Sequence, residues 1–150
     1  MNILKNLKQT LLLLTGSVLL GCDQQESVHF DLEVAKQKWG SSGMVWTEAD
    51  LQLLESGESQ YRGNCSVCHA RDGKGDIQLG AAALDGSPFA NGQKSQLIQR
   101  ILQGKKGSAM PAFADALSDA QIAAITSYLR NAWNNRSGDI VSTEEVKQRR

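Results

Sequence analysis

Residues 64 to 76 of the 150-residue chain read NCSVCHARDGKGD and place Cys65, Cys68 and His69 in the spacing C-x-x-C-H. The chain has three cysteines, and the third, Cys22, stands far upstream at the end of an apolar run. Three chemistries use two thiols at this spacing. A redox-active disulfide belongs in a βαβ setting, and no alternating strand pattern occurs anywhere in this sequence. A structural zinc site needs four ligands, and only the distant His29 could extend the set. The third chemistry is covalent haem attachment. It needs two thiols to form thioethers and an adjacent imidazole for the iron, and all three are present. A helical turn puts Cys65 and Cys68 on one side, with His69 directly behind them.

One imidazole leaves a second axial position on the iron. Met110, in GSAMPAF, lies beyond a central helix and before the last one, so its loop can reach the opposite face. Pro111 after it fixes the backbone and removes a competing N–H. Met44 precedes the motif, and His29 lies close to Cys22, so both are poorer candidates. A thioether ligand fills the sixth site, raises the reduction potential and favours electron transfer over chemistry at the metal.

These residues need elements to hold them. Thr47 is a plausible N-cap, with Glu48 and Asp50 in the first turn and Leu51, Leu54 and Tyr61 near one face. Gly57 inside that helix costs about 0.5–1 kcal/mol relative to alanine, which implies close approach by another helix. A second helix starts between Gln93 and Ser95, carries Leu97, Ile98, Ile101 and Leu102, and ends at Gly104. SDAQ at Ser118 fits a capping box for a third, with Ile122, Ile125, Leu129 and Ala132 or Trp133 as its stripe. A short helix from Ser142 is expected in STEEVKQRR, its KQRR ending read as a solvated tail. The expected fold is all-α, with three main helices and long loops. Residues 70 to 93 would be irregular for too long a stretch to stand alone in a compact domain, so the loop is expected to wrap a large apolar cofactor.

The N-terminal residues read as an export signal: Lys5 and Lys8, then a leucine-rich run too short to span a bilayer comfortably, then Leu19-Leu20-Gly21-Cys22. That tetrapeptide resembles the lipobox of bacterial lipoproteins, which implies acylation of Cys22. Several acyl chains would anchor the protein stably where one would not. Asp23 resembles the inner-membrane retention signal of some such lipoproteins, which implies the periplasmic side of the cytoplasmic membrane. Cleavage would leave 14 basic against 16 acidic side chains. The chain carries no basic excess that would point to nucleic acid. The expected organisation is a signal peptide (1–21), a tether (22–46), a haem-binding domain (47–135) and a C-terminal tail (136–150).

From Gly57 to Trp133, about half of the chain, the sequence resembles class I mono-haem c-type cytochromes. GESQYRGNCSVCHARDGKG, LDGSP, LIQRILQGKKGSAMPAF and LSDAQIAAITSYLRNAW carry the likeness. GSAMPAF through LRNAWNN, followed by GDIVSTEEV, is similar to the cytochrome c domain fused to subunit II of some haem–copper oxidases, although no copper-site sequence is present. The resemblance implies one haem c on Cys65 and Cys68 with His69 and Met110 as axial ligands. It implies a crossing of first and last helices in which Gly57 and Tyr61 meet Tyr128 and Leu129. It also implies a carbonyl at position 82 accepting from the ligand imidazole, with alanine where the family often has proline. The function implied is single-electron transfer in a respiratory chain, to or within a terminal oxidase. A subunit of a membrane dehydrogenase, a haem sensor or peroxidase-like enzyme, and a thiol oxidoreductase are the alternatives. Lys94, Arg100, Lys105 and Lys106 fall in a stretch without acids that could steer an acidic redox partner.

Overall fold

The computed structural model describes residues 30–40 and 43–150. The export signal, Cys22 and His29 lie outside the described residues. The described chain forms six helices: α1 (Leu32–Gly40), α2 (Glu48–Asn64), α3 (Ser66–His69), α4 (Lys94–Gln103), α5 (Asp119–Asn131) and α6 (Thr143–Lys147). Among the described residues there is no strand, only one isolated bridge between Asp76 and Ala81. The architecture is all-α, with α2, α4 and α5 as the main helices.

Their starts follow from side-chain chemistry. Thr47 and Asp50 form a reciprocal capping box on α2, as Ser118 and Gln121 do on α5 and Ser142 and Glu145 on α6. Gln93 caps α4 by backbone conformation alone, and Gly104 ends that helix at φ 68°.

The organising contact is the crossing of α2 and α5. A Cβ built on Gly57 would stand 2.1 Å from the carbonyl oxygen of Ala124 and 2.7 Å from Cβ of Tyr128. Only glycine admits that approach. Around it Leu51, Leu54, Tyr61, Ile122, Ile125 and Leu129 are buried, and α4 adds Leu97, Ile98, Ile101 and Leu102. Four aromatic rings close one end: Tyr61, Tyr128 and Trp133 lie 5.3–5.4 Å apart, and Trp39 meets Tyr128 edge-on at 5.9 Å.

Two stretches are more ordered than the sequence suggested. Within the span read as a tether, Asp31 accepts from the amides of Glu33 and Val34 and starts α1. Ala35 and Trp39 are buried against α2, and the Trp39 indole donates to Glu55 at 2.7 Å. One buried tryptophan outweighs the polar composition around it. Within the span read as a tail, Val141 and Val146 are fully buried beside α5. The side chain of Arg150, at the end of the KQRR stretch expected in solvent, bonds to Asp119 and to the carbonyls of Ala114 and Leu117.

Candidate haem site

Cys65 terminates α2, its N–H donating to Tyr61 O at 2.9 Å. The same residue begins α3: its carbonyl accepts from Cys68 N at 3.2 Å and from His69 N at 2.9 Å. One tight turn therefore carries both thiols and the imidazole. The cysteines are free, Cys65 half-buried and Cys68 exposed. Burial, and secondarily the neighbouring Cys68, push the Cys65 thiol up to about 11. A reactive thiolate nucleophile requires the opposite shift. No group of three or more Cys, His, Asp or Glu side chains suited to a metal ion occurs among the described residues.

The loop after His69 folds back to orient the imidazole. Ala70 adopts φ 59°, and its carbonyl accepts from the Tyr61 hydroxyl at 2.6 Å. Burial, above all, keeps that phenol protonated well beyond its ordinary range, so it remains a donor. Gly75 takes φ 75°, and a Cβ there would meet Ala81 O at 2.4 Å. Asp76 and Ala81 exchange two backbone hydrogen bonds, of 3.0 and 2.8 Å, closing a small loop. That closure brings the carbonyl of Ala82 to 2.8 Å from Nδ1 of His69. A carbonyl can only accept, so Nδ1 carries the proton and Nε2 keeps its lone pair for a metal. Alanine thus supplies the carbonyl expected at this position without a proline ring.

Met110 stands on a separate loop pinned to the end of α4. Its carbonyl accepts from Lys105 N at 3.1 Å, and its N–H donates to Ser108 Oγ at 3.3 Å. A Cβ on Gly104 would sit 2.5–2.6 Å from Pro111 and from the Met110 carbonyl, so the glycine that ends α4 also admits this loop. Met44, the other methionine considered, packs elsewhere: its methyl occupies the space a side chain at Gly138 would need.

Of the other residues that hold the site, the sequence singled out only Trp133, and that as a candidate for a helix stripe. Trp133, at φ 55°, covers Gly73, where a Cβ would fall 2.7 Å from the indole ring. Asn135, fully buried, donates to the carbonyls of Leu84 and Leu129 at 2.8 and 2.7 Å and accepts from Asn91 at 2.7 Å. Asn134 bonds Asp85 through both its amides. Arg130, 4% exposed, grips Asp139 with two bonds and donates to the carbonyls of Ala90 and Gly92. The run NAWNN was the available signal, since clustered asparagines after a helix satisfy loop carbonyls. The basic stretch is smaller than its sequence suggested. Lys94 is bound to Ile140 O at 2.7 Å and to Glu145 at 3.3 Å, and Arg100 stacks on Phe89 at 5.5 Å.

The donor set fits haem c: two unpaired thiols on one turn, an imidazole whose Nδ1 is engaged by Ala82 O, and a long loop beside them. Val67, Ile77 and Leu79 on these segments present half or more of their surfaces outward. Fold and site together define a c-type cytochrome domain. The chain belongs to the family described as cytochrome c oxidase, cbb3-type, subunit III, whose model matches residues 52–129.

The chain is 36% identical to the cbb3-type cytochrome c oxidase subunit FixP of Azorhizobium caulinodans, over 53% of this chain and 27% of that one. It is 33% identical to cytochrome c6 of Diacronema lutheri, over 51% of this chain and 92% of that one. A solved structure, cytochrome CL of Methylophaga aminisulfidivorans, aligns over 81% of each chain with 19% identity and a TM-score of 0.48. The chain spans less than a third of the length of the FixP relative. Membership of the family implies covalently bound haem c. No helix among the described residues is long and apolar enough to cross a membrane.

Proposed function

We propose that this protein is a mono-haem c-type cytochrome, anchored to the outer face of the cytoplasmic membrane by lipid on Cys22, that passes single electrons to or within a terminal respiratory oxidase. Cys65 and Cys68 would hold the haem by two thioether bonds, and His69 Nε2 and Met110 Sδ would take its axial positions. When bound, the group supplies a one-electron ferrous–ferric couple. The observation that carries the reading is the 2.8 Å contact between His69 Nδ1 and Ala82 O beside two free thiols. It fixes the tautomer, aims Nε2 and raises the basicity of the ligand.

The chain's own residues then do three things. The Ala82 carbonyl accepts from Nδ1 of His69 and so leaves Nε2 to hold the metal. The Met110 thioether would serve as the second ligand, keep water and dioxygen from the iron and raise the potential. The aromatic cluster of Tyr61, Tyr128 and Trp133 packs behind the attachment turn and keeps water from that side. An oxidase partner is supported by the family and by the named subunit among its relatives.

Expression in an exporting host with cytochrome c maturation tests the reading. The mature protein should stain for covalent haem on a denaturing gel, carry acyl mass on Cys22 and give a six-coordinate low-spin spectrum. Met110→Ala should lower the reduction potential and admit carbon monoxide to the ferrous form. Colourless mature protein, or a five-coordinate wild-type spectrum, would sink it.

A further inference from the structure

We infer that Arg150 is a positioning residue for the methionine-bearing loop. The inference rests on the reading that Met110 is an axial ligand. The C-terminal segment runs along the α4–α5 face and is fastened at both ends. At its start the Lys94 ammonium, in the first turn of α4, bonds Ile140 O at 2.7 Å and Glu145 at 3.3 Å. Between the ends Val141 and Val146 are fully buried. At its finish the Arg150 guanidinium divides its donors among three acceptors: Asp119 Oδ1 at 2.7 Å, Leu117 O at 3.0 Å and Ala114 O.

Those acceptors lie in the segment that follows Met110-Pro111. Residues 113–117 form a turn in which Leu117 N donates to Phe113 O at 3.0 Å. The turn's first two amides face α4: Phe113 N donates to Ile101 O at 3.1 Å and Ala114 N to Leu102 O at 3.2 Å. Its outward carbonyls face Arg150. The turn is therefore gripped from both sides, by the end of α4 and by the guanidinium. Arginine suits the task because its planar fork reaches several acceptors at once, and Asp119 fixes its orientation. Upstream, the methionine loop hangs between Gly104 and this turn. Loosening one anchor lets Met110 leave the iron more often without removing any atom of the ligand set.

An exogenous ligand that replaces the thioether measures this directly, because its apparent affinity scales with the fraction of protein in which Met110 has let go. The probe is free imidazole, titrated into the ferric holoprotein and followed by loss of the far-red band of thioether-ligated haem. Arg150→Ala should bind imidazole about tenfold more tightly than wild type, the effect of losing charge-assisted hydrogen bonds to the turn. Arg150→Lys, which keeps the charge but cannot span three acceptors, should fall between the two. In a Met110→Ala background, Arg150→Ala should leave imidazole affinity unchanged, since no thioether remains to be displaced. Should the alanine variant fail to fold, Arg150→Gln makes the same comparison. Equal imidazole affinity in wild type and the Arg150 variants overturns the inference, as does an equal shift in the Met110→Ala background. A wild-type ferric spectrum without the thioether band overturns the ligand reading itself, a result separable from either.

Discussion

The helix crossing gives the sharpest test of how this chain is built, because the same helix contains two glycines in opposite situations. Replacing Gly57 by alanine places a methyl 2.1 Å from Ala124 O and 2.7 Å from both the Ala124 carbonyl carbon and Tyr128 Cβ. None of these is a flexible side-chain end, so α2 and α5 must separate by more than 1 Å to restore van der Waals distance. Overpacking of this kind costs about 1–3 kcal/mol. Displacing Tyr128 from Tyr61 and Trp133 forfeits about 1 kcal/mol more of ring contact. Against this, alanine gains about 0.5–1 kcal/mol over glycine in a helix interior. The balance is a loss of about 1–3.5 kcal/mol. Gly63, near the C-terminal end of α2, has nothing within 4 Å of an added Cβ. Gly63→Ala should therefore keep the propensity gain and stabilise by about 0.5 kcal/mol. Urea unfolding of the two holoproteins, followed by far-ultraviolet circular dichroism, reads both changes. If Gly57→Ala proved neutral, or if both substitutions moved the midpoint in the same direction, the close approach would not be what requires glycine at position 57.

Asn135→Ala should destabilise by about 3 kcal/mol, because the carbonyls of Leu84 and Leu129 and the amide of Asn91 lose a buried partner together. A change under about 1 kcal/mol in the urea midpoint would show that these groups find other partners. Glu145 is held below its ordinary carboxylate range, first by the backbone N–H of Ser142 and then, against the cost of burial, by Lys94. A lowered folded value means that its contribution is present above the ordinary range and lost as pH falls through and below it. Acidification should lower the protection of the Val146 amide against hydrogen exchange, taken relative to the intrinsic rate at each pH, and Glu145→Gln should flatten that dependence; protection unchanged with pH in the wild type would refute it.

What could be read in advance was set by local chemistry. The capping pair Ser118–Gln121, the Thr47 cap and the i,i+4 leucine–isoleucine pattern of α4 are decided within a few residues of the chain, and all appear where those residues place them. The spacing of Cys65, Cys68 and His69 is likewise local, because one turn suffices to bring them together. Gly57 was legible for a different reason: an unfavourable residue kept inside a helix signals a neighbour. Contacts between distant segments were not legible. Trp39 could have packed on the domain or faced a membrane, and only the groove presented by Glu55 and Tyr128 decides it. Arg130 in the last turn of α5 reads as surface charge, yet it is buried because Asp139 and two loop carbonyls converge on it. Lys94 appears as part of a basic stretch until Glu145, far along the chain, is seen to claim it. Composition describes a segment's surroundings on average, whereas such pairings depend on single partners.

The crossing at Gly57 and Ala124 also makes the chain a lariat. Everything between those two residues, from the cysteine turn through α4 to the methionine loop, is one noose whose neck is the seam of the first and last large helices. A nick in the exposed Lys105–Ser108 bend would cut the noose and leave the neck tied, so both pieces would stay joined. The portion of the molecule proposed to exchange electrons is suspended from a knot lying outside it, and the turns that carry His69 and Met110 can be altered separately without untying what holds them together.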